Sequence, residues 1–296
     1  MANAKTKETE SKVKEVKPKE VLKDLKDIEK LADRQWDTKI PKIIHYMWLG
    51  DRPKNEEIMQ NIESWKKYNP DFEIIEWNDT NLELDTCPFM VETIANKKYG
   101  FTADWVRLYG IKKFGGIWLD TDVEVIKPFG ELMNCDGFMS FENEVYIQSA
   151  VMAAKKDAEW INTLFKYYDV RHFAKKNKMD LTTLPVIQTI LLHKFYGVKY
   201  KNKMQVIDNQ LTVFPNDYLA PKDYTTEITT ITDNTITIHK FAATWFSKGA
   251  KILAKFLKGV RKVLGKRIFG WFTWIYIKSV EGRYLREYKK LVGKEK

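Results

Sequence analysis

Two pairs of charged residues stand close together in the middle of this 296-residue chain: Asp104 with Arg107, and Asp120 with Asp122. The second pair ends the run Gly115-Gly116-Ile117-Trp118-Leu119, which reads as a sharp turn followed by a short buried strand. In an extended or slightly bent segment residues i and i+2 project to the same side. Asp120 and Asp122 can then reach one hard cation while Thr121 points away. Oxygen ligands select Mg or Mn over zinc, and two carboxylates leave coordination positions open for the phosphates of a nucleotide diphosphate. An isolated Asp-x-Asp is also common in surface turns, so its flanks decide its meaning. Upstream, residues 101–114 read as a helix in which Ala103, Val106 and Gly110 share a small-residue face and Asp104 and Arg107, three apart, are neighbours. Alone, Asp104 with Arg107 reads as an ordinary intrahelical ion pair.

The elements that must position these residues read as alternating strands and helices. Ile40 to Gly50 contains a first strand and its turn, residues 58–65 an amphipathic helix, and residues 72–77 an alternating strand ended by Asn78-Asp79. This opening β-α-β unit predicts an α/β fold with a mostly parallel sheet flanked by helices, with ligands beyond the carboxyl ends of the strands. Trp48, Asn78 and Asp120 all fall at such ends.

Residues 101–129 resemble the sugar-binding region of glycosyltransferase family 32, the DxD-containing enzymes that include bacterial capsular polysaccharide transferases. The resemblance combines the Asp-x-x-Arg helix, the Gly-Gly-Ile-aromatic-Leu-Asp-x-Asp strand end and a Val-x-x-x-x-Pro turn at 123–128. It implies a GT-A-like nucleotide-sugar-binding sheet. It extends upstream to Trp48-Leu49-Gly50, similar to an element that contacts the nucleotide base, with Trp48 the candidate to stack on it; a core aromatic is the other reading of Trp48. Downstream, Asn143 and Gln148 fall in a stretch similar to the family's acceptor-side strand, where amides lie near the transferred sugar; bonding to nearby backbone is the alternative. The segment 232–245 resembles the family's closing motif, in which a His and a Ser-Trp pair return to the metal and diphosphate. Here the motif reads His239 and Thr244-Trp245, with Thr where Ser is usual, so a hydroxyl is kept and an extra methyl is added. His239 thereby becomes the third candidate metal ligand. His45 reads as strand core, and His172 and His193 as surface or packing residues.

The function implied is metal-dependent, retaining transfer of a hexose from a nucleotide diphosphate sugar, UDP-linked by analogy, to a saccharide acceptor in surface or capsular polysaccharide synthesis. A Mn or Mg ion would neutralise the leaving diphosphate. Asp104 would accept hydrogen bonds from sugar hydroxyls, and Arg107 would bridge phosphate and sugar. The alternative from another class is a membrane-associated protein that binds nucleotide sugar without turnover. A metal phosphohydrolase fits less well, because dense His and Asp clustering is missing.

Composition suits a sizeable core, with 44% apolar residues and ten Trp. Residues 1–38 read as a charged leader, disordered or helical, without the apolar core of a signal peptide, which predicts a cytoplasmic protein. Residues 39–247 form the predicted transferase domain. From 248 to 296 the chain carries 15 Lys or Arg against three acidic residues, more than the net charge of +10 for the whole. Lys251, Lys255, Lys258 and Lys262 line one helical face, Leu253, Phe256, Leu257, Val260 and Leu264 another, and the aromatic stretch 268–277 follows. Ten apolar residues are too few to span a bilayer, so the pattern predicts peripheral docking on the anionic inner face of the cell membrane, where a lipid-linked acceptor would lie. Packing against the enzyme's own core is the alternative. No nucleic-acid motif accompanies the basic charge, and Cys87 and Cys135 have neither metal nor disulfide spacing.

Overall fold

The computed structural model describes residues 19–175, 178–224, 226–242 and 248–293, with side chains between 248 and 269 only at Gly259, Gly265 and Ile268. In chain order the first half contains β1 (Val21–Leu22), α1 (Leu25–Glu29), β2 (Ile43–Met47), α2 (Glu56–Tyr68), β3 (Glu73–Trp77), α3 (Pro88–Ala95) and α4 (Tyr99–Phe114). Next come β4 (Gly116–Leu119), β5 (Val123–Val125), β6 (Gly137–Ser140), β7 (Val151–Ala154), α5 (Glu159–Val170) and the small hairpin β8 (Ala174–Lys175) and β9 (Lys178–Met179). Then follow α6 (Leu184–Tyr196), β10 (Gln205–Ile207), β11 (Leu211–Phe214), α7 (Asn216–Leu219), β12 (Thr237–His239) and α8 (Lys248–Leu291).

Among the described residues the main sheet has eight strands in the order β1-β3-β2-β4-β7-β6-β11-β10. The β1-β3-β2-β4 half is parallel, as the opening β-α-β reading requires; β7 then joins antiparallel between β4 and β6, and β11 returns parallel to β6. The fold is thus α/β, with helices on both faces of a largely parallel sheet. Successive strand residues face opposite sides, which divides the interior into two cores. Ile43 and Trp118 enter the core under α3 to α6, whereas Ile44, Ile117 and Leu119 enter the core with Trp65 of α2. A strand buried on both faces needs a continuous apolar run, which Ile117-Trp118-Leu119 supplies.

The turn between α4 and β4 requires its glycines. Gly115 and Gly116 have φ of 69° and 103°. A Cβ on Gly115 would lie 2.7 Å from the Lys156 amide, and one on Gly116 2.6 Å from the Ile43 carbonyl. The chain therefore reverses where no other residue fits, and β4 enters the sheet directly beside β2.

The ends are joined to this body. Val21 and Leu22 pair in parallel with Ile74 and Ile75, and Ile28 and Leu31 enter the core, so ordered structure begins well before residue 38. At the other end, α8 is interrupted at Gly265, whose φ of 75° and ψ of 167° separate two helical stretches. Its second stretch packs on the rest of the fold: Ile277, Tyr284 and Tyr288 are buried in the core that holds α5 and α6. Among the described residues no helix is long and apolar enough to cross a membrane.

Candidate active site

Asp120 follows the last residue of β4. Its backbone N–H bonds the Ala150 carbonyl at 2.9 Å, and its own carbonyl accepts from Val123 N–H at 2.9 Å. The Asp-x-Asp segment is therefore a tight turn rather than the extended segment that the spacing suggested. The i, i+3 closure folds the chain back so that β5 can start at Val123. Asn61, buried on α2, donates to the Thr121 carbonyl at 2.8 Å and fixes the turn from outside.

The turn alone does not complete the cluster. β12 pairs antiparallel with β5 in a separate two-stranded ribbon, with His239 opposite Val123, and Lys240 N–H continues the ladder to the Asp122 carbonyl at 3.0 Å. That register sets His239 Nε2 3.4 Å from Asp122 Oδ1. The other Asp122 oxygen accepts from Ala242 N–H at 2.9 Å. Asp120, Asp122 and His239 each offer one ligand atom, all within 4.8 Å of one another.

The charges are matched to that geometry. Burial alone would raise the Asp122 carboxyl, but the facing His239 and the Ala242 N–H hold it down at about 2. Burial would lower His239, yet the Asp122 carboxylate outweighs it and raises the imidazole above its ordinary value. His239 Nδ1 is buried and has no hydrogen-bond partner among the described residues. Two carboxylates and an imidazole suit a divalent cation, and here their donor atoms already converge. Asp120, Asp122 and His239 could together hold such an ion.

Arg107 is buried and committed differently from the sequence expectation. Its Nη2 donates to Asp120 Oδ1 at 2.8 Å and its Nη1 to the Ser149 carbonyl at 2.8 Å, while its neighbour Asp104 lies 3.9 Å away. Trp118, two residues before Asp120 on the same side of β4, donates its indole N–H to the same Oδ1 at 2.7 Å, and the guanidinium lies 5.2 Å over that ring. Both donors bond Oδ1, so Asp120 Oδ2 has no protein donor among the described residues. Arg107 thus orients Asp120 through a fork only a planar guanidinium can form. Trp118 and Asn61 escaped the sequence reading: Trp118 was legible from the period of two, whereas Asn61 had no local signal.

Asp104 is buried one turn before Arg107 on α4. Burial pushes its carboxyl up to about 7, and the Asp120 charge adds to this, while Arg107, Arg171 and the Leu184 N–H oppose it. Arg171 is itself buried, stacked 5.0 Å over Tyr168 and bonded to Asp180 at 3.2 Å.

Trp48 leaves the end of β2, the strand beside β4, so it and Asp120 emerge at the same sheet edge. Its indole N–H is tied to the Arg52 carbonyl at 2.7 Å and Lys54 lies 5.3 Å from its ring. Leu49 packs partly on the core. Asn143 Oδ1 accepts from the Val145 and Tyr146 amides, and both ends of the buried Gln148 amide bond Val151, so these two side chains serve local backbone. Thr244 and Trp245 lie outside the described residues. His45 is buried in β2, with Nε2–H directed at the Gly115 carbonyl at 2.7 Å and Nδ1 accepting from Trp77, and burial lowers it to about 4. His172 pairs with Glu92 and His193 stacks on Tyr200.

Residues 55–139, which hold Asp104, Arg107 and both aspartates of the turn, match the family described as "Glycosyltransferase sugar-binding region containing DXD motif". The match covers residues 55–139 and leaves the rest of the chain outside it. Among curated proteins it is similar to the Subversion of eukaryotic traffic protein A of Legionella pneumophila, 26% identical over 141 residues, covering 36% of this chain and 22% of that protein's length. Solved structures similar to it include the PaToxG glycosyltransferase, at 23% identity and a TM-score of 0.41 over 57% of this chain and 74% of that one. A glycosyltransferase involved in glycosylating the major capsid of PBCV-1 is also similar, at 14% identity and a TM-score of 0.39 over 74% of this chain and all of that one.

Proposed function

We propose that this protein is a metal-dependent, retaining glycosyltransferase that moves a hexose from a nucleotide diphosphate sugar, UDP-linked by preference, to a saccharide acceptor, with residues 39–247 as the transferring domain. The observation that carries this reading is that Asp120, Asp122 and His239 bring ligand atoms within 4.8 Å of one another, with both aspartates inside the region 55–139 that matches a DXD sugar-binding family. Bound there, a divalent cation such as Mn or Mg would supply Lewis-acid stabilisation of the departing diphosphate.

The chain's own residues do the rest. Arg107 and Trp118 fix one oxygen of Asp120 and leave the other without a donor among the described residues. Asp122, held ionised by His239 and Ala242 N–H, presents a second charge that needs no proton loss at neutral pH. Asp104, poised near neutrality, is the candidate to accept hydrogen bonds from sugar hydroxyls, with Arg107 behind it as a fixed positive charge. Trp48 is the proposed stacking surface for the base. Asn143 and Gln148, tied to local backbone, would act on the acceptor side by shaping the loops around them. The basic C-terminal segment would attach the enzyme to the inner face of the membrane, where the acceptors of surface or capsular polysaccharide synthesis lie.

The test is calorimetric titration with a panel of UDP and GDP sugars, with and without Mn, while free nucleoside diphosphate is measured. Mn-dependent binding with slow donor hydrolysis is expected. Binding without hydrolysis for every donor would favour a nucleotide-sugar-binding protein instead, and no binding at all would remove the donor assignment.

A further inference from the structure

Between residues 268 and 276, α8 exposes six large apolar side chains: Ile268, Trp271, Phe272, Trp274, Ile275 and Tyr276, each 38–57% exposed. Single exposed apolar residues need no explanation, but six within nine positions form a patch of the kind that marks a docking surface. The opposite face of the same helix is already engaged. Gly270 passes so close to Glu144 that a Cβ there would lie 3.1 Å from the Glu144 Cβ, and Ile277, Tyr284 and Tyr288 enter the core. The patch is thus turned outward by packing.

What covers it follows from charge. The twenty residues before it, 248–267, carry eight Lys or Arg and no Asp or Glu. A second copy of this chain would bring two such strips together, which like-charge repulsion opposes. An anionic bilayer is attracted instead, at about 1 kcal/mol per Lys or Arg near its surface, and Trp and Tyr are the side chains suited to the headgroup zone. We propose that Ile268, Trp271, Phe272, Trp274, Ile275 and Tyr276 insert as an interfacial patch into membranes containing anionic phospholipid. This deepens the attachment proposed above and is independent of the transfer chemistry. The helix meets the body of the protein at Glu144, in the loop after β6.

The full chain and its Trp271→Ser/Trp274→Ser variant are to be compared for flotation with phosphatidylcholine vesicles, with or without phosphatidylserine, and for quenching by brominated lipid. Thermal unfolding shows whether the variant is folded, and wild-type donor hydrolysis is measured without vesicles. Serine-lipid-dependent flotation with tryptophan quenching, reduced at least tenfold in the folded variant, is expected. A Val206→Ser/Ile228→Ser control, altering exposed apolar residues outside α8, should float as wild type. Equal flotation of wild type and the tryptophan variant overturns the proposal. So does a wild-type dimer by light scattering that the variant abolishes, or tighter binding to DNA than to vesicles. Flotation without hydrolysis of any donor would leave the docking in place and remove the transferase reading; hydrolysis without flotation would do the reverse.

Discussion

Asp120 is held by two donors on one oxygen, and that asymmetry makes Arg107 the residue on which the cluster depends. Arg107→Lys keeps the charge but cannot reach both Asp120 and the Ser149 carbonyl. It should weaken Mn binding about 10- to 100-fold, as loss of an orienting partner typically does, read by titration calorimetry. Asp122→Asn removes a proposed ligand and the partner of His239, and Mn-dependent donor hydrolysis should fall below detection; unchanged turnover would sink the metal assignment. Asp104 gives a pH signature to the metal-free protein. Its carboxyl sits at about 7 in the fold against an ordinary 3.8, so the folded state holds the proton more tightly. Stability from this group is fully present at low pH and is lost as pH rises through 7, about 2 to 3 kcal/mol between pH 5 and 8. Urea unfolding in EDTA should show that loss, and Asp104→Asn should flatten it.

At the scale of elements, two devices build the site: the glycine turn that starts β4 and the β5–β12 ribbon. Gly116→Ala puts a Cβ 2.6 Å from the Ile43 carbonyl at a φ of 103°. Strain of this kind costs about 1–3 kcal/mol, and the clash adds to it. A fall in urea midpoint, together with weaker Mn binding because Asp120 rides on the same strand, is the expected result. The ribbon is anchored from beneath by Thr237, whose hydroxyl donates to the Leu219 carbonyl at 2.7 Å, and by Ile236 N–H to the Tyr218 carbonyl at 2.8 Å. The position of His239 is therefore inherited from α7 as well as from β5.

Across the whole molecule, α8 closes the face of the sheet that carries α4, α5 and α6. Tyr284, fully buried, donates its hydroxyl hydrogen to Asp180 at 3.0 Å and accepts from the Thr182 hydroxyl at 2.5 Å, and Asp180 in turn holds Arg171. The helix is thereby linked by side chains to the charges around Asp104. Tyr284→Ala should cost about 3–5 kcal/mol, as for other large buried aromatics. Tyr284→Phe, losing only the hydroxyl bonds, should cost about 1 kcal/mol. Thermal unfolding of both separates packing from the polar link.

The local features were legible in the chain because they obey short periods. Ile117-Trp118-Leu119 between paired glycines and paired aspartates can hardly be anything but a buried strand leaving the sheet at a polar edge, and the β-α-β opening follows from alternation and helical spacing. A period of two also puts Trp118 on the side of Asp120. What lies far apart in sequence was decided by the tertiary structure. His239 meets Asp122 only through the register of β12 on β5, Arg107 chooses Asp120 over its helical neighbour Asp104 because α4 packs across the end of β4, and β1 joins an edge that its charged surroundings did not announce. The resemblance to a known motif drew attention to His239; no pattern in the residues themselves could. Local conformation is set by nearest neighbours along the chain, whereas the direction of a buried charge is set by whichever partner the packed core leaves within reach.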